Sequence, residues 1–166
     1  FVFLLCTTVT AYFAGLGMGK TEEGLRSFLA SAGPNLAKEE KKAARGRCKH
    51  QKKQIVAAAL LTNFGILAVL KYTNFFCSNL NGLLRFFHSS AAVPAFRLVL
   101  PLGISFYTFQ AMGYVIDVYR GKFPPERNFA KFALFVCFFP QILEGPIGRY
   151  GDLAPQLYEP HDFDYN

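Results

Sequence analysis

Long apolar stretches alternate with one strongly charged stretch along this 166-residue chain. A membrane-spanning helix needs about 17–25 apolar residues, and four stretches approach or reach that length. We predict spans at about residues 1–18, 55–71, 98–119 and 129–147. A helix satisfies its own backbone hydrogen bonds in lipid. The pattern therefore predicts an all-α fold, a polytopic transmembrane helical bundle that forms a single membrane domain over residues 1–166.

The charged stretch runs from Lys20 to Lys53 and holds ten Lys or Arg residues and four Glu residues. Its net charge of +6 accounts for nearly all of the chain's +7. Basic segments between spans remain on the cytoplasmic side and attract anionic lipid. We therefore predict a basic cytoplasmic loop over residues 20–53, broken at Gly33-Pro34. Its flanking by membrane-type stretches disfavours a nucleic-acid partner.

Local residue patterns add smaller predictions along the chain. Gly15 and Gly19 form a GxxxG pair that would allow close helix approach. Residues 72–97 mix aromatic and polar side chains and favour a helix lying in the membrane interface. Asn128 is a candidate N-cap for the helix that follows it. Cys48 and His50 lack the further ligands of a zinc site, and the other cysteines are isolated, so we expect no metal and no disulfide framework.

Polar side chains form a stripe on the third predicted span. Tyr107, Gln110, Tyr114 and Asp117 recur at helical spacing and share one face. A polar face on an apolar span should face a bundle interior or a water-filled cavity. For Asp117 the alternative is an ion pair with Arg120 near the interface.

A second polar group lies in the stretch FFPQILEGPIGRY at the end of the fourth predicted span. Its prolines each remove a backbone donor and expose carbonyls that need internal partners. Gln141 and Glu144 share a face, and Arg149 could reach back to Glu144 across Gly145 and Pro146. The alternative is an ordinary helix end, with Glu144 hydrated and Arg149 extended to the interface.

Three blocks of this sequence, in this order, resemble the N-terminal half of the membrane-bound O-acyltransferase (MBOAT) family: LPLGISFYTFQ, then YVIDVYRG, then NFAKFALFVCFFPQILEGPIGRYGDLAPQL. The similarity is strongest to the bacterial branch of alginate O-acetyltransferases and teichoic acid D-alanyl transfer proteins. Glu144 departs from the family pattern, because that position is more often small or uncharged. Because the three blocks resemble only the N-terminal half of the family, we expect the chain to be the N-terminal part of a longer protein.

The resemblance implies a multi-pass enzyme of the plasma membrane, most simply a bacterial inner membrane, with a tunnel through the protein. It would move an acyl group, acetyl or D-alanyl-like, from acyl-CoA or an acyl-carrier protein to a hydroxyl of an extracytoplasmic polysaccharide or cell-wall polymer. Membrane lipid and polysaccharide-biosynthesis proteins would be its partners, and no cofactor is expected. The candidate tunnel residues are Tyr107, Gln110, Tyr114, Asp117, Gln141, Glu144, Gly145, Pro146 and Arg149.

The family's catalytic histidine lies in a later membrane helix that this chain does not contain. His50, His88 and His161 do not match it, so no catalytic residue is assigned and the chain alone should be inactive. Two other function classes remain open from the residues. A transporter or channel could use Gln110, Asp117 and Glu144 to line a path. A scaffolding membrane protein would use the polar stripe only to hold helices together.

Overall fold

The computed structural model describes residues 2–32, 37–86, 103–138 and 148–158, apart from the side chain of Arg85. Helix accounts for 87% of the described residues and no strand occurs among them, so the all-α prediction is confirmed. The five helices in these ranges are α1 Val2–Ser31, α2 Lys38–Phe86, α3 Ile104–Tyr119, α4 Phe129–Val136 and α5 Tyr150–Tyr158. Several residues used above lie outside the described residues: Gly33, Pro34, His88, Gln141, Glu144, Gly145, Pro146 and His161.

Helices α1 and α2 are long and apolar enough to cross a membrane, by length and composition. Both extend well beyond the spans predicted from hydropathy. Helix α1 continues to Ser31, and α2 begins at Lys38, so the predicted basic loop is largely helical. Its Lys, Arg, Glu, Ala and Gln residues are good helix formers, and charge does not break a helix in water.

The predicted interfacial helix after Tyr72 is not a separate element in the part of the chain that the structure describes. Helix α2 continues without a break from the apolar span through Tyr72 to Phe86. Residues 72–86 contain no proline and only one glycine, Gly82, so nothing in the local sequence ends the helix. The aromatic and polar residues there form the far end of one long helix.

Helix α3 packs against both α1 and α2, and its residues form much of the buried core. The close approach predicted for α1 is observed. A Cβ atom added at Gly15 would lie 2.9 Å from the hydroxyl of Tyr114 on α3. One added at Gly19 would lie 2.6 Å from Cγ of Pro125, in the connection that follows α3. The absence of side chains at both glycines therefore sets how closely α1 meets the rest of the bundle.

Two polar contacts join α1 to α2 at different depths. Asn63 is buried, and its side-chain amide donates to Thr10 Oγ1 at 2.9 Å and to the Ala59 carbonyl at 2.8 Å. Nearer the charged ends, the Lys52 ammonium contacts the Glu22 carboxylate at 2.5 Å. That hydrogen bond lowers the pKa of Glu22 against the opposing effect of partial burial. Both contacts fix the register between the two helices.

Candidate functional site

Aromatic rings from five parts of the chain meet between α3, α4 and α5. The aromatic cluster consists of Tyr12, Tyr114, Phe123, Phe132, Phe135 and Tyr150. Ring centroids lie 4.5 Å apart for Tyr114 and Phe132, and 5.0 Å apart for Tyr114 and Tyr150. Phe132 and Phe135 are completely buried. Offset and edge-to-face aromatic pairs are favourable at these separations, so the cluster holds the three helices together.

Glu126, in the connection between α3 and α4, ties the cluster together through hydrogen bonds. The Tyr150 hydroxyl donates to Glu126 Oε2 at 2.7 Å, and the Asn128 backbone N–H donates to Oε1 at 2.8 Å. The Glu126 backbone N–H donates to the Tyr114 hydroxyl at 2.9 Å. This one residue therefore connects α3 with the start of α5.

The charge state of Glu126 follows from these contacts. Partial burial acts to raise its pKa, but the hydrogen bonds from Tyr150 and Asn128 and the nearby Lys131 together lower it. Burial and the hydrogen bond to this carboxylate raise the pKa of Tyr150. At neutral pH the carboxylate is therefore ionised and the tyrosine is the donor.

Local sequence explains how this connection takes its shape. Gly121 has φ 73°, which glycine adopts without strain, and it follows Arg120, the C-cap residue of α3. Pro124 and Pro125 restrict the next residues. Asn128 then caps α4, its side chain accepting from the backbone N–H groups of Ala130 and Lys131. The cap predicted from the sequence is confirmed.

The polar stripe of α3 lies mostly in the packed interior. Tyr107, Gln110 and Tyr114 are each at most 2% exposed. The Gln110 side-chain amide donates to the Phe135 carbonyl of α4 at 3.0 Å. The buried Tyr107 hydroxyl has no hydrogen-bond partner among the residues that the structure describes. This face is therefore interior, as a functional stripe requires, and its lining of a tunnel stays a prediction.

Asp117 and Arg149 lie at the edges of this region. Asp117 pairs with Lys122 at 2.7 Å, where the alternative from the sequence was Arg120. Arg149 is exposed, and its carbonyl accepts from the N–H groups of Asp152 and Leu153 in the first turn of α5. The proposed partner of Arg149, Glu144, lies outside the described residues, so that pairing stays a prediction.

Sequence reasoning missed Glu126 and Tyr150. Both sit in short polar segments beside the spans, where a single acid or tyrosine usually faces water. The one local signal was the rigid Pro124-Pro125 pair directly before Glu126, which limits the directions that Glu126 can take. Their pairing spans 24 residues and depends on how α5 packs against α3 and α4.

Two of the concave surfaces beside the charged ends of α1 and α2 also include residues of α3. The larger, about 390 Å³, is lined by charged residues from α1 and α2, among them Glu22, and by the α3–α4 connection. The smaller, about 290 Å³, is lined by Arg45, Cys48, Lys49, Lys52 and Tyr119. In the described ranges no group of three or more His, Cys, Asp or Glu side chains could hold a metal ion.

Comparison with known proteins gives three kinds of relative. The chain is 42% identical over 92 residues to a probable alginate O-acetylase AlgI of Azotobacter vinelandii, which covers 55% of this chain and 18% of that protein. It is 31% identical over 122 residues to a peptidoglycan O-acetyltransferase of Helicobacter pylori, covering 59% of this chain and 22% of the relative. It is 43% identical over 49 residues to a teichoic acid D-alanyltransferase of Lacticaseibacillus rhamnosus, covering 30% and 12%.

The alignments also show how much of each relative this chain covers. The chain spans about a fifth of the length of the first curated relatives that it matches. No family model matches it, and no solved structure matches it. The relatives nevertheless agree with the resemblance drawn from its three sequence blocks. The chain fits a piece of the membrane-bound O-acyltransferase family, and that prediction is confirmed.

Proposed function

We propose that this chain is part of a membrane enzyme that transfers an acyl group to a hydroxyl of a polysaccharide or cell-wall polymer. The observation that carries the proposal is the agreement among the relatives' names, which pair O-acetyl or D-alanyl transfer with alginate, peptidoglycan or teichoic acid. In each case the chemistry needs an activated acyl donor and a polymer acceptor. A cytoplasmic thioester, either acyl-CoA or an acyl-carrier protein, is the donor that we propose.

The described residues contribute structure and orientation to this chemistry. Gln110 links α3 to α4 through the Phe135 carbonyl, and Glu126 links α3 to α5 through Tyr114 and Tyr150. Helices joined in this way hold the intervening polar groups in a constant arrangement, which a catalytic interior requires. The general base that activates the acceptor hydroxyl would come from a histidine outside this chain.

We further propose that the buried stripe and the segment before α5 border the acyl-transfer tunnel. The proposed tunnel residues are Tyr107, Gln110, Tyr114, Asp117, Gln141, Glu144, Gly145, Pro146 and Arg149. Support comes from Tyr107, which is 2% exposed and whose hydroxyl has no hydrogen-bond partner among the described residues, since a polar side chain inside an apolar bundle is costly unless it is used or paired.

Reconstitution of the full-length protein tests the function directly. Liposomes with labelled acetyl-CoA or an acetyl-carrier protein on the cytoplasmic side, and alginate outside, should yield alkali-labile acetyl groups on the polymer. Absence of ester-linked acyl groups on alginate, peptidoglycan and teichoic acid, with the acetyl donors or with a D-alanyl-carrier protein, would contradict the proposal. A solute flux through the liposomes without any ester formation would favour the transporter alternative.

Two substitutions test the tunnel. Glu144→Gln and Gly145→Leu should reduce acyl transfer by at least about tenfold, because each alters a proposed wall, while the protein still inserts and folds. Gly65→Leu on α2 is the matched control, since an added Cβ there meets nothing within 4 Å among the described residues. Wild-type transfer by both tunnel variants would show that the segment is an ordinary helix end.

We also propose a multi-pass protein of the bacterial inner membrane with residues 20–53 in the cytoplasm. The excess of basic residues and the two long apolar helices support this orientation. Cys48 is a poor labelling site because it is only 8% exposed. Gln51→Cys, in a background without other cysteines, offers an exposed thiol instead. An impermeant maleimide should label it only after permeabilisation, and labelling in intact cells would reverse the orientation.

A further inference from the structure

The charged half of α2 carries most of its cations on one face. Five basic residues recur three or four positions apart, and a helix with 3.6 residues per turn places them in one row. All five are exposed, and none forms an ion pair with another residue in the described ranges. The basic row consists of Lys38, Lys42, Arg45, Lys49 and Lys53.

The basic row borders the smaller of the two concave surfaces, where α2 passes the end of α3. Arg45 and Lys49 contribute cations from the row, Lys52 contributes a third, and Tyr119 contributes the end of α3. Lys52 also pairs with Glu22, but no carboxylate lines the surface itself. At about 290 Å³ it is just below the range of about 300–1,000 Å³ for pockets of drug-sized ligands. Its chemistry therefore fits a small anion or an anionic headgroup.

Height above the apolar part of α2 narrows the choice of anion. The apolar run begins at Ile55, and at about 1.5 Å per residue Lys49 lies about 9 Å and Arg45 about 15 Å beyond it. The headgroup layer of each leaflet is about 5–8 Å thick, outside a hydrocarbon core of about 30 Å. The inner part of the surface, near Lys52, thus lies at the depth of phospholipid phosphates, and Lys49 lies at the outer edge of the headgroup layer, whereas the part near Arg45 opens to water.

We propose that the surface formed by Arg45, Lys49 and Tyr119 binds a phosphate ester. Arg and Lys are the side chains that bind phosphate through charge-assisted hydrogen bonds, and a tyrosine hydroxyl can donate one more. The phosphate can belong to an anionic lipid headgroup or to a soluble phosphate ester. This site lies apart from the aromatic cluster, and its existence does not depend on the acyl-transfer activity.

Binding of a chain-labelled fluorescent phosphatidylglycerol to the full-length protein in neutral detergent micelles tests the site. Wild-type protein should bind the probe, and Arg45→Gln/Lys49→Gln should weaken binding by about tenfold or more, because two charged hydrogen bonds are lost. Tyr119→Phe should weaken binding by about threefold while every charge is kept. All of these residues reach water at least in part, and the variants' thermal unfolding should match that of the wild type.

The matched control is Arg47→Gln/Lys53→Gln, which removes the same charge from the same stretch of helix. Arg47 and Lys53 are exposed but do not line the surface, and on average they lie closer to Ile55 than Arg45 and Lys49 do. If only non-specific attraction held the probe, at about 1 kcal/mol or fivefold in affinity per cation, the control would lose at least as much probe affinity as Arg45→Gln/Lys49→Gln does. If the proposed site binds the probe, the affinity of the control variant should lie within about threefold of the wild-type affinity.

Competition separates the two sources of phosphate. Displacement of the probe by unlabelled phosphatidylglycerol, but not by glycerol 3-phosphate or phosphatidylcholine, assigns a lipid headgroup. Equal displacement by glycerol 3-phosphate assigns a soluble ester. No probe binding to the wild type, or equal losses in the two double variants, would overturn the proposal. Failure of the acyl-transfer assay would leave these outcomes unaffected, because binding is measured without turnover.

Discussion

Substitution of Gly15 by alanine tests the packing on which the bundle depends. A Cβ atom there would lie 2.9 Å from the Tyr114 hydroxyl and 3.1 Å from its ring. Tyr114 is only 1% exposed and receives the Glu126 backbone N–H, so its ring cannot move aside without loosening that hydrogen bond. We expect Gly15→Ala to destabilise the protein even though alanine is the better helix former.

The magnitude follows from three contributions to the free energy of unfolding. Replacing glycine by alanine inside a helix gains about 1 kcal/mol. Overpacking against Tyr114 costs about 1–3 kcal/mol. Weakening the hydrogen bond from Glu126 to Tyr114 costs about 1 kcal/mol. The net effect is a loss of about 1–3 kcal/mol.

Gly17→Ala is the matched control on the same helix. Its Cβ would lie 3.5 Å from the Ile55 side chain, an ordinary contact, so this variant should gain up to about 1 kcal/mol. Equilibrium unfolding of the full-length protein in mixed micelles of mild detergent and dodecyl sulfate, followed by the helical signal, should separate the two variants by about 1–4 kcal/mol. Equal stability of Gly15→Ala and Gly17→Ala would refute the reasoning.

The remaining predictions use the same unfolding assay. Tyr150→Phe and Glu126→Gln should each lower the free energy of unfolding by about 1–2 kcal/mol. The double variant should lose no more than about the larger single loss, because both substitutions disrupt the same hydrogen bond, and strictly additive losses would contradict that bond. Ala substitutions at Thr10 and Asn63 should show a coupling of about 0.6 kcal/mol, and at most about 1.7, across α1 and α2; zero coupling would contradict the contact. Because the pKa of Glu126 is lowered in the folded protein, its ionised hydrogen bonds stabilise fully above its ordinary value of 4.5. The stability difference between wild type and Glu126→Gln should therefore shrink as pH falls below 4.5, and a constant difference down to about pH 3 would contradict this assignment.

Features of the fold that depend on local sequence were predictable. Hydropathy predicts the all-α class because a long apolar run has few stable alternatives to a helix. Asn128 is recognisable as a cap because its side chain bonds only to the next few residues. The small residues Gly15 and Gly19 indicated close packing, although the sequence did not name Tyr114 and Pro125 as the groups they meet.

Helix lengths and contacts between distant residues could not be predicted as well from the sequence. Hydropathy measures which residues prefer lipid, so it ends a span at the first charges even where the helix continues, as α2 does on both sides of its apolar part. The pairing of Tyr150 with Glu126 joins two short polar segments through the packing of three helices. No periodicity within either segment encodes that contact.

Two buried tyrosines on one face of α3 show how structural and functional roles can be separated. The Tyr114 hydroxyl accepts from Glu126 and packs over Gly15, so its contacts are accounted for within the described residues. The Tyr107 hydroxyl, two helical turns earlier on the same face, is equally buried but has no hydrogen-bond partner in those residues. Leaving a buried hydroxyl without a partner costs about 1–3 kcal/mol, so removal of the Tyr107 hydroxyl should not destabilise this part of the bundle. Stability is therefore the informative measurement at Tyr114, whereas a loss of acyl transfer without a loss of stability at Tyr107 would indicate that its hydroxyl faces the reaction path.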